Sequence, residues 1–371
     1  MILSQYNNIM WIWQQKNWAE FSYRSNEILP VLEKTVKAVA PLVLLACELE
    51  QEKQLQFESQ ILFEETLATA KIEGEILDRE SVRSSIANRL GLGKITQGSK
   101  NVSAFVDVLL EAIRFSNTPL TESQLLQWHS MMFYEKPLLH PLNIGCYRND
   151  IMQVISGRFG KQTVHFQAPC DNRDCVEKEM QHFLHWLNQA NESSFYIKAA
   201  IAKFYFVTIH PFDNGNGRLS RIVAERCLAQ ADATQIRLYS ISQQIEKNKA
   251  DYYQLLESCQ KGSLDITEWI IWFLQQVTEA ANVSQDKLAK VRLTTLFWDK
   301  HRDVSFNVRQ KKLLQRLLET DDFKAGISRG KYKSLAHTTD ISAARDLKDL
   351  FEKNILIVIG AGRSTKYLLN I

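Results

Sequence analysis

The sequence predicts a mainly α-helical protein that carries one β-hairpin and ends in a small module of helices and strands. Three observations support this fold class. Apolar residues recur at helical spacing over long stretches of the chain. Before residue 210, a convincing β pattern occurs only within residues 147–168. From about Ser305 the pattern changes to short helices followed by two apolar strands.

Periodicity and capping residues predict five helices in the first third of the chain, over residues 27–50, 52–71, 79–90, 102–115 and 122–133. Thr121 and Gln124 form the capping box of the last of these. Glycines at positions 91, 93 and 98 predict a loop between the third and fourth helices. Ahead of them, residues 10–21 concentrate three tryptophans and a phenylalanine, a pattern typical of side chains that pack against a core.

The hairpin is predicted from two apolar runs, 152–155 and 163–166, that flank a glycine-bearing turn at 156–160. Surface hairpins are common, so this element alone assigns no function.

Composition describes an ordinary globular chain. It has 371 residues, 45% of them hydrophobic and 23% charged, which is enough for two or three domains. A net charge of +3 does not by itself call for nucleic acid. With neither a signal peptide nor a long apolar stretch predicted, we expect a cytoplasmic protein and no membrane partner. The six cysteines show no CxxC or zinc spacing and are expected to be reduced thiols.

A twelve-residue run combines a base, a glycine-flanked turn and two arginines: His210-Pro-Phe-Asp-Asn-Gly-Asn-Gly-Arg-Leu-Ser-Arg221. Gly215 and Gly217, on either side of Asn216, allow backbone N–H groups to turn toward an anion, because glycine tolerates positive φ and has no Cβ. The helix predicted over 218–232 adds the partial positive charge of its N-terminus. The run therefore predicts a nucleotide phosphate site.

The side chains of the run suit the same chemistry. Arg218 and Arg221 are three residues apart and can both donate to phosphate oxygens. His210 is suited to take a proton from an attacking hydroxyl at neutral pH. Phe212 is expected to anchor the loop in the core. Taken singly, each residue is as ordinary as a loop histidine or a solvated arginine; their joint occurrence around Gly-Asn-Gly favours the site.

The run resembles the signature of Fic-domain proteins, His-Pro-Phe-x-Asp/Glu-Gly-Asn-Gly-Arg-x-x-Arg. Members of that family transfer AMP from ATP to a Tyr, Ser or Thr hydroxyl of a target protein. The resemblance implies a Fic helical bundle with the hairpin as a flap, ATP as substrate and Mg²⁺ or Mn²⁺ as cofactor. It implies His210 as general base, with the phosphates held by Gly215, Asn216, Gly217, Arg218 and Arg221.

One position departs from the family pattern. The metal-binding acid of the family falls on Asn214, while the acid here, Asp213, occupies the variable position. An amide oxygen can ligate Mg²⁺ but brings no charge, so Asn214 is expected to be a weakened metal ligand.

A second segment, Thr69-Ala-Lys-Ile-Glu73-Gly74, resembles the inhibitory helix found in many Fic proteins. The resemblance implies that Glu73 pairs with Arg221 and blocks productive seating of the γ-phosphate, since a carboxylate competes for the same donors. A glutamate on the polar face of a helix is otherwise usually only solvated. A glutamate in this place can also position water in some relatives, which implies removal of AMP as a further activity.

The family resemblance also assigns expectations to two other segments. The hairpin, residues 152–166, corresponds to the flap that holds an extended segment of the target by strand addition. Tyr252 or Tyr253 corresponds to aromatic residues that lie against adenine, although two core tyrosines fit the sequence equally well.

The final segment resembles a winged helix. Ser342, Arg345 and Lys348 are expected to face outward on its recognition helix, with Arg363 and Lys366 on the wing. Such modules bind DNA or dock proteins, and the sequence favours neither.

Together these patterns predict an N-terminal helical region (1–95) with the inhibitory helix, a Fic core (96–285) and a winged helix (286–371). The expected function is that of a protein adenylyltransferase, autoinhibited by Glu73, which modifies protein hydroxyls, its own included. The alternative is a regulator that binds DNA or acts as a scaffold, its Fic core weakened at Asn214. A homo-oligomer is compatible with the sequence.

Overall fold

A computed structural model describes residues 10–92, 100–133, 142–157, 162–189, 192–319 and 325–370. The chain divides into two compact units, Met1–Ser284 and Gln285–Ile371. Part of the predicted glycine loop (93–99), the hairpin tip (158–161) and the side chain of Arg363 lie outside the described residues.

Helices make up most of the described part of the first unit, which confirms the mainly α-helical fold class. They are α1 (Ser25–Cys47), α2 (Gln51–Ile72), α3 (Arg79–Leu90), α4 (Lys100–Arg114), α5 (Glu122–Met132), α6 (Arg173–Gln189), α7 (Phe195–Ile209), α8 (Asn216–Asp232), α9 (Ile241–Lys247), α10 (Lys249–Gln260) and α11 (Thr267–Lys300), which continues past residue 284. Among the described residues, every helix is too short or too polar to span a bilayer.

Two central helices, α7 and α8, hold the loop of the twelve-residue run between them. Every residue of α7 after Phe195 is buried, as expected for a helix that is apolar on all sides. It packs along α8 and ends at His210, whose φ of 52° lies in the left-handed region. Gly215, with a φ of 84°, then caps the start of α8. Residues 210–215 therefore form a short loop between two buried helices, with the N-terminus of α8 at its end.

The hairpin consists of β1 (Gln153–Ser156) and β2 (Thr163–Gln167), paired antiparallel. Val154 pairs with Phe166 but Ile155 pairs with Val164, so His165 is an extra residue, a β-bulge, in β2. All four residues of β1 are exposed.

The tryptophan-rich segment packs against the base of this hairpin. Trp11 is buried, and its ring meets that of Phe166 edge-on at 5.5 Å between centroids. The indole N–H of Trp13 donates to the carbonyl of Gln167 at 2.6 Å. The expectation that these aromatic residues serve packing is confirmed for Trp11.

The second unit has the element order expected from the sequence. It contains α12 (Val308–Glu319), α13 (Arg329–Ala336), α14 (Asp340–Glu352) and an antiparallel pair, β3 (Leu356–Ile359) and β4 (Lys366–Leu369). Its core includes the buried side chains of Leu313, Tyr332, Leu347 and Ile355. A backbone bridge from Ile327 to Tyr367 adds to the edge of β4.

The expectation that all six cysteines are free thiols is wrong for one pair. Cys170 and Cys175 form a disulfide at the start of α6. The left-handed conformation of Cys170, with a φ of 71°, turns the chain back so that the two Cα atoms lie 5.4 Å apart, within disulfide range. A spacing of five residues matches no common metal or redox signature, so the sequence did not reveal it. The cysteines therefore give no support to the expected cytoplasmic location.

Candidate functional site

The loop between α7 and α8 is folded by its own side chains. Asn216 Oδ1 accepts a hydrogen bond from the backbone N–H of Phe212 at 2.9 Å, and Asn216 Nδ2 donates to the carbonyl of Phe212 at 2.7 Å. Phe212 is fully buried and stacks on the ring of His129 with centroids 4.1 Å apart. Phe212 is thus confirmed as the core anchor. The side chain of Asn216 thus closes the loop, and the backbone N–H of Asn216, as one of the first in α8, has no partner within the helix.

His210 has a fixed tautomer. Its Nδ1 lies 3.0 Å from the carbonyl oxygen of Val207, and because a carbonyl only accepts, Nδ1 carries the proton and Nε2 keeps its lone pair. Burial, aided by the positive charge of Arg148, lowers the pKa of His210 to about 4. The imidazole is therefore neutral at pH 7 and can accept a proton.

Arg148, which sequence reasoning missed, holds His210 from behind. Its side chain is fully buried and donates to the carbonyls of His210 (2.8 Å), Asp150 (2.7 Å) and Cys170 (2.9 Å). Burial lowers the pKa of Arg148 to about 10, which leaves it charged at neutral pH. These bonds stabilise the left-handed backbone of His210, a conformation that costs free energy for a residue with a Cβ. A single arginine in an irregular segment gives no motif by which to find it.

His129 supports the loop from α5 and was also missed. It is 1% exposed; the backbone N–H of Gly145 donates to Nδ1 at 3.0 Å, so Nε2 carries the proton that faces the carbonyl of Asn214 at 3.2 Å. Burial lowers the pKa of His129 to about 4. This histidine is neutral in the folded protein and fixes the middle of the loop.

Acid is expected to destabilise the fold as the pH falls from about 6.5 to about 4. In this window His129 and His210 stay unprotonated in the folded chain, whereas unfolded histidines, with an ordinary pKa of 6.5, take up protons. Stability therefore rises with pH through the window, by about 1.4 kcal/mol per pH unit for each proton. Urea unfolding of wild type and His129→Gln at several pH values measures this slope. His182→Gln, an exposed control on α6, should keep the full slope. An equal slope in wild type and His129→Gln would contradict the assignment to His129.

Arg221 is paired with Glu73, the carboxylate that the family resemblance assigned to it. Its Nη2 lies 2.7 Å from Oε1 of Glu73, and its Nε donates to Oγ1 of Thr69 at 3.2 Å. Arg221 is 2% exposed, while Glu73 caps the C-terminus of α2. Burial alone would raise the pKa of Glu73, yet the guanidinium of Arg221 keeps it below its ordinary value. The ion pair is therefore intact at neutral pH.

A second carboxylate, not predicted, pairs with the other arginine of the run. Arg218 Nη1 lies 3.4 Å from Oε1 of Glu75, and the two glutamates flank Gly74, whose φ is 81°. A Cβ at Gly217 would collide with Oε1 of Glu73. The Glu73 carboxylate thus lies against the first turn of α8, where the N-terminus of a helix binds anions.

The loop residues do not fit a protein-held metal ion at position 214. Asn214 Oδ1 accepts a hydrogen bond from the backbone N–H of Gly215 at 2.7 Å. Asp213 Oδ2 accepts two hydrogen bonds from Asn143, both at 2.9 Å. Within the described residues, no group of three His, Cys, Asp or Glu side chains is arranged to hold a metal.

The α7–α8 loop and Glu73 line a common cavity of about 740 Å³. This volume is usual for a small-molecule site. It is lined by the α7–α8 loop, both strands of the hairpin and α10. Among the residues predicted from the sequence it contains Glu73, His210, Asn214, Gly215, Asn216, Gly217, Arg221, Tyr252 and Tyr253, while Thr69 and Arg218 are not part of its lining.

The two tyrosines on α10 differ. Tyr252 is 2% exposed and its hydroxyl accepts a hydrogen bond from Nζ of Lys203 at 2.8 Å. Tyr253 is 44% exposed. Burial, followed by the charge of Arg221, lowers the pKa of Lys203 well below its ordinary value. Tyr252 is therefore mainly a core residue, and Tyr253 offers the more accessible ring to a ligand.

Fold and site define a mainly α-helical protein in which a helix N-terminus, occupied by the Glu73 carboxylate, shares one cavity with a neutral histidine. Residues 119–228 match the Fic/DOC family, and residues 11–92 match a domain of unknown function, DUF4172. The Fic/DOC match covers the segment from α5 to α8, which contains the loop with His210 and both arginines of the run.

Parts of the chain are similar to known proteins. The protein adenylyltransferase Fic of Drosophila ananassae is 25% identical over 207 residues, 54% of this chain and 38% of that protein. The one from Drosophila virilis is 33% identical over 87 residues, 23% and 17% of the respective chains. This chain thus matches well under half the length of either. The crystal structure of a Fic family protein from Desulfovibrio desulfuricans superposes with a TM-score of 0.56 over 94% of this chain and 97% of that one, at 18% identity, which shows the fold alone.

Proposed function

We propose that this chain is a protein adenylyltransferase that transfers AMP from ATP to a hydroxyl of a protein, and that Glu73 holds it inactive. The observation that carries the proposal is the Glu73–Arg221 ion pair at the N-terminus of α8, in one cavity with the unprotonated Nε2 of His210. The name of the relatives, protein adenylyltransferase, supports it.

In this proposal the phosphates of ATP bind where the Glu73 carboxylate now lies. They accept hydrogen bonds from the backbone N–H groups of Asn216 and Gly217 and from Arg221. His210 Nε2 takes the proton of the attacking hydroxyl, whose oxygen bonds to the α-phosphorus while pyrophosphate leaves. Arg148 and His129 act as positioning residues, because they hold the backbone of the loop and not the nucleotide.

Inhibition follows from competition for the same donors. Arg221 cannot donate to a γ-phosphate and to Glu73 in the same geometry, so productive binding requires the ion pair to break. Glu75 holds Arg218 in the same way, at a longer distance. We extend the proposal to removal of AMP, with Glu73 as the group that positions water.

Target proteins are proposed to dock on β1. Its residues are all exposed, and Val154 and Ile155 present apolar side chains that are 41% and 48% exposed. A target segment added as a strand gains backbone hydrogen bonds that do not depend on its sequence. Because β1 and His210 line one cavity, a hydroxyl on that segment would come close to the base.

The experiment that tests the proposal supplies the full-length Glu73→Gly variant with α-labelled ATP and an extract of the cells that make the protein. We expect label on extract proteins in Mg²⁺ or Mn²⁺, and its loss in Glu73→Gly/His210→Ala. Comparison with chelator reports whether metal is required despite Asn214. No labelled extract protein under any metal would refute the proposed function.

A second candidate function is DNA binding by the second unit, and the order of three helices followed by two paired strands supports a winged helix. Arg345 on α14 and Lys366 on β4 are exposed, which favours it. Several neighbouring cations are already paired with carboxylates, however: Arg329 and Lys333 with Asp340, and Lys348 with Glu352.

If this unit binds DNA, full-length protein should shift duplex DNA in a salt-dependent manner. Arg345→Ala is then expected to weaken binding by about 1–3 kcal/mol if it reads a base, or to reduce the salt slope by about one if it contacts phosphate. Arg302→Ala, an arginine 80% exposed in the same unit, is the control. The absence of a shift at low salt would exclude DNA and leave protein docking.

A further inference from the structure

Three side chains on the hairpin side of the cavity form a continuous hydrogen-bonded chain. Ser156 Oγ lies 2.6 Å from Nε2 of His165, and His165 Nδ1 lies 2.8 Å from Oε2 of Glu257. All three line the cavity that contains His210 and Arg221. The roles proposed above for ATP binding and proton transfer use none of them.

The carboxylate fixes the direction of one of the two hydrogen bonds: it only accepts, so His165 Nδ1 carries a proton. Whenever Nε2 of His165 has its lone pair, it accepts from the Ser156 hydroxyl. The other oxygen of Glu257 pairs with Lys261. Burial alone would raise the pKa of Glu257, but hydrogen bonds from Lys261 and His165 keep it below its ordinary value. A hydroxyl, a base and an orienting carboxylate in this order form an activated nucleophile.

The backbone of β2 is irregular at His165, the middle residue of this hydrogen-bonded chain. In a regular ladder His165 would face Ile155, but the bulge leaves it unpaired. Bulges redirect a side chain and are frequent beside active sites. Here the redirected imidazole contacts both Ser156, near the end of the neighbouring strand, and Glu257 on α10. Ser156 itself is exposed and can meet a ligand in the cavity.

We propose that Ser156 is a nucleotide acceptor within the chain itself, with His165 as its base and Glu257 as the group that orients the base. The step rests on the proposed use of ATP. Ser156 Oγ bonds to the α-phosphorus, the bond from that phosphorus to the α,β-bridging oxygen breaks, and pyrophosphate leaves. The hydroxyl proton passes to His165 Nε2, and the imidazolium is stabilised by Glu257.

Modification of Ser156 also has a consequence for target binding. An AMP group on the last residue of β1 would occupy the cavity and crowd the exposed strand on which targets are proposed to dock. The protein would then limit its transfer of AMP to other proteins by a route that does not involve Glu73.

The test incubates full-length Glu73→Gly with ATP and locates AMP by intact mass and peptide mapping. We expect one AMP on Ser156. In the same background, His165→Gln should slow this modification by a factor of about 10² or more, as for loss of a general base, and Glu257→Gln by at least about tenfold. Ser156→Thr, which keeps a hydroxyl, should carry AMP at the same position. Because Ser156 has its own base, His210→Ala should leave its modification in place.

The outcomes separate this inference from the proposed function. AMP found only at other residues, or modification of Ser156 at an unchanged rate in His165→Gln, overturns the inference. So does labelling of extract proteins with Ser156 unmodified, which leaves the proposed function standing. Absence of label from both the chain and the extract overturns both.

Discussion

Replacement of His210 by alanine is expected to reduce the rate of AMP transfer to other proteins by a factor of about 10²–10⁴, the usual contribution of a general base. The substitution removes the Nε2 lone pair. It should leave the loop in place, because Arg148 donates to the backbone carbonyl of His210 and not to its ring. Initial rates of label transfer, measured in the Glu73→Gly background, give the factor. His182→Ala, at an exposed histidine on α6, is the matched control.

The pH dependence of the transfer rate is a second test of His210. Burial lowers the pKa of His210 to about 4, so its imidazole remains an unprotonated base throughout pH 5–8. We expect no loss of rate from this group above about pH 5 and a decline as the pH approaches 4. A decline with a midpoint near 6.5 in the His210-intact enzyme would instead mean that the histidine titrates as if in water.

Replacement of Glu73 by glycine is expected to raise the transfer rate by about 10–100-fold. Hydrogen bonds to charged groups contribute about 1.5–3 kcal/mol, and this is the free energy with which Glu73 competes for Arg221. Without nucleotide the variant should also unfold more easily, by on the order of 2 kcal/mol, because a buried guanidinium loses its partner. Saturating ATP should restore the lost stability. Thermal unfolding of the variant with and without ATP measures this effect.

Glu75→Gln is the natural comparison for this effect. The Arg218–Glu75 contact is longer, at 3.4 Å, and the Glu75 side chain is 47% exposed, so the pair is expected to contribute about 0–1 kcal/mol. Activation of less than about fivefold follows. If Glu75→Gln activated as strongly as Glu73→Gly, the ion pair at Arg221 would not be the main source of inhibition.

Features encoded by local pattern were predictable from the sequence. The helix predicted over 52–71 is found as Gln51–Ile72, and the hairpin runs 152–155 and 163–166 are found as Gln153–Ser156 and Thr163–Gln167. Periodicity and glycine turns act over a few residues, so one sequence contains that information. The approach of Glu73 to Arg221, 148 residues apart, was expected from the family resemblance of both segments.

What the sequence did not reveal depends on contacts between distant segments without a motif. Arg148 binds carbonyls at positions 150, 169, 170, 209 and 210. The residues next to it in the sequence form no motif that would predict these contacts. The bulge at His165 depends on pairing across the hairpin, and its contact with Glu257 spans 92 residues. Such groups are selected by tertiary packing, which a pattern of apolar residues does not specify.

The contact between Trp13 and the base of the hairpin bears on how far the protein can be trimmed. A fragment cut to residues 119–228 would retain His210 and both arginines of the run. It would lose the indole that donates to Gln167, the glutamate that occupies the helix terminus, and the α10 wall that carries Glu257. The shortest polypeptide that preserves the cavity therefore begins before Trp11 and extends beyond Lys261, so that a segment near one end of the chain and a helix some 240 residues later have to be kept together.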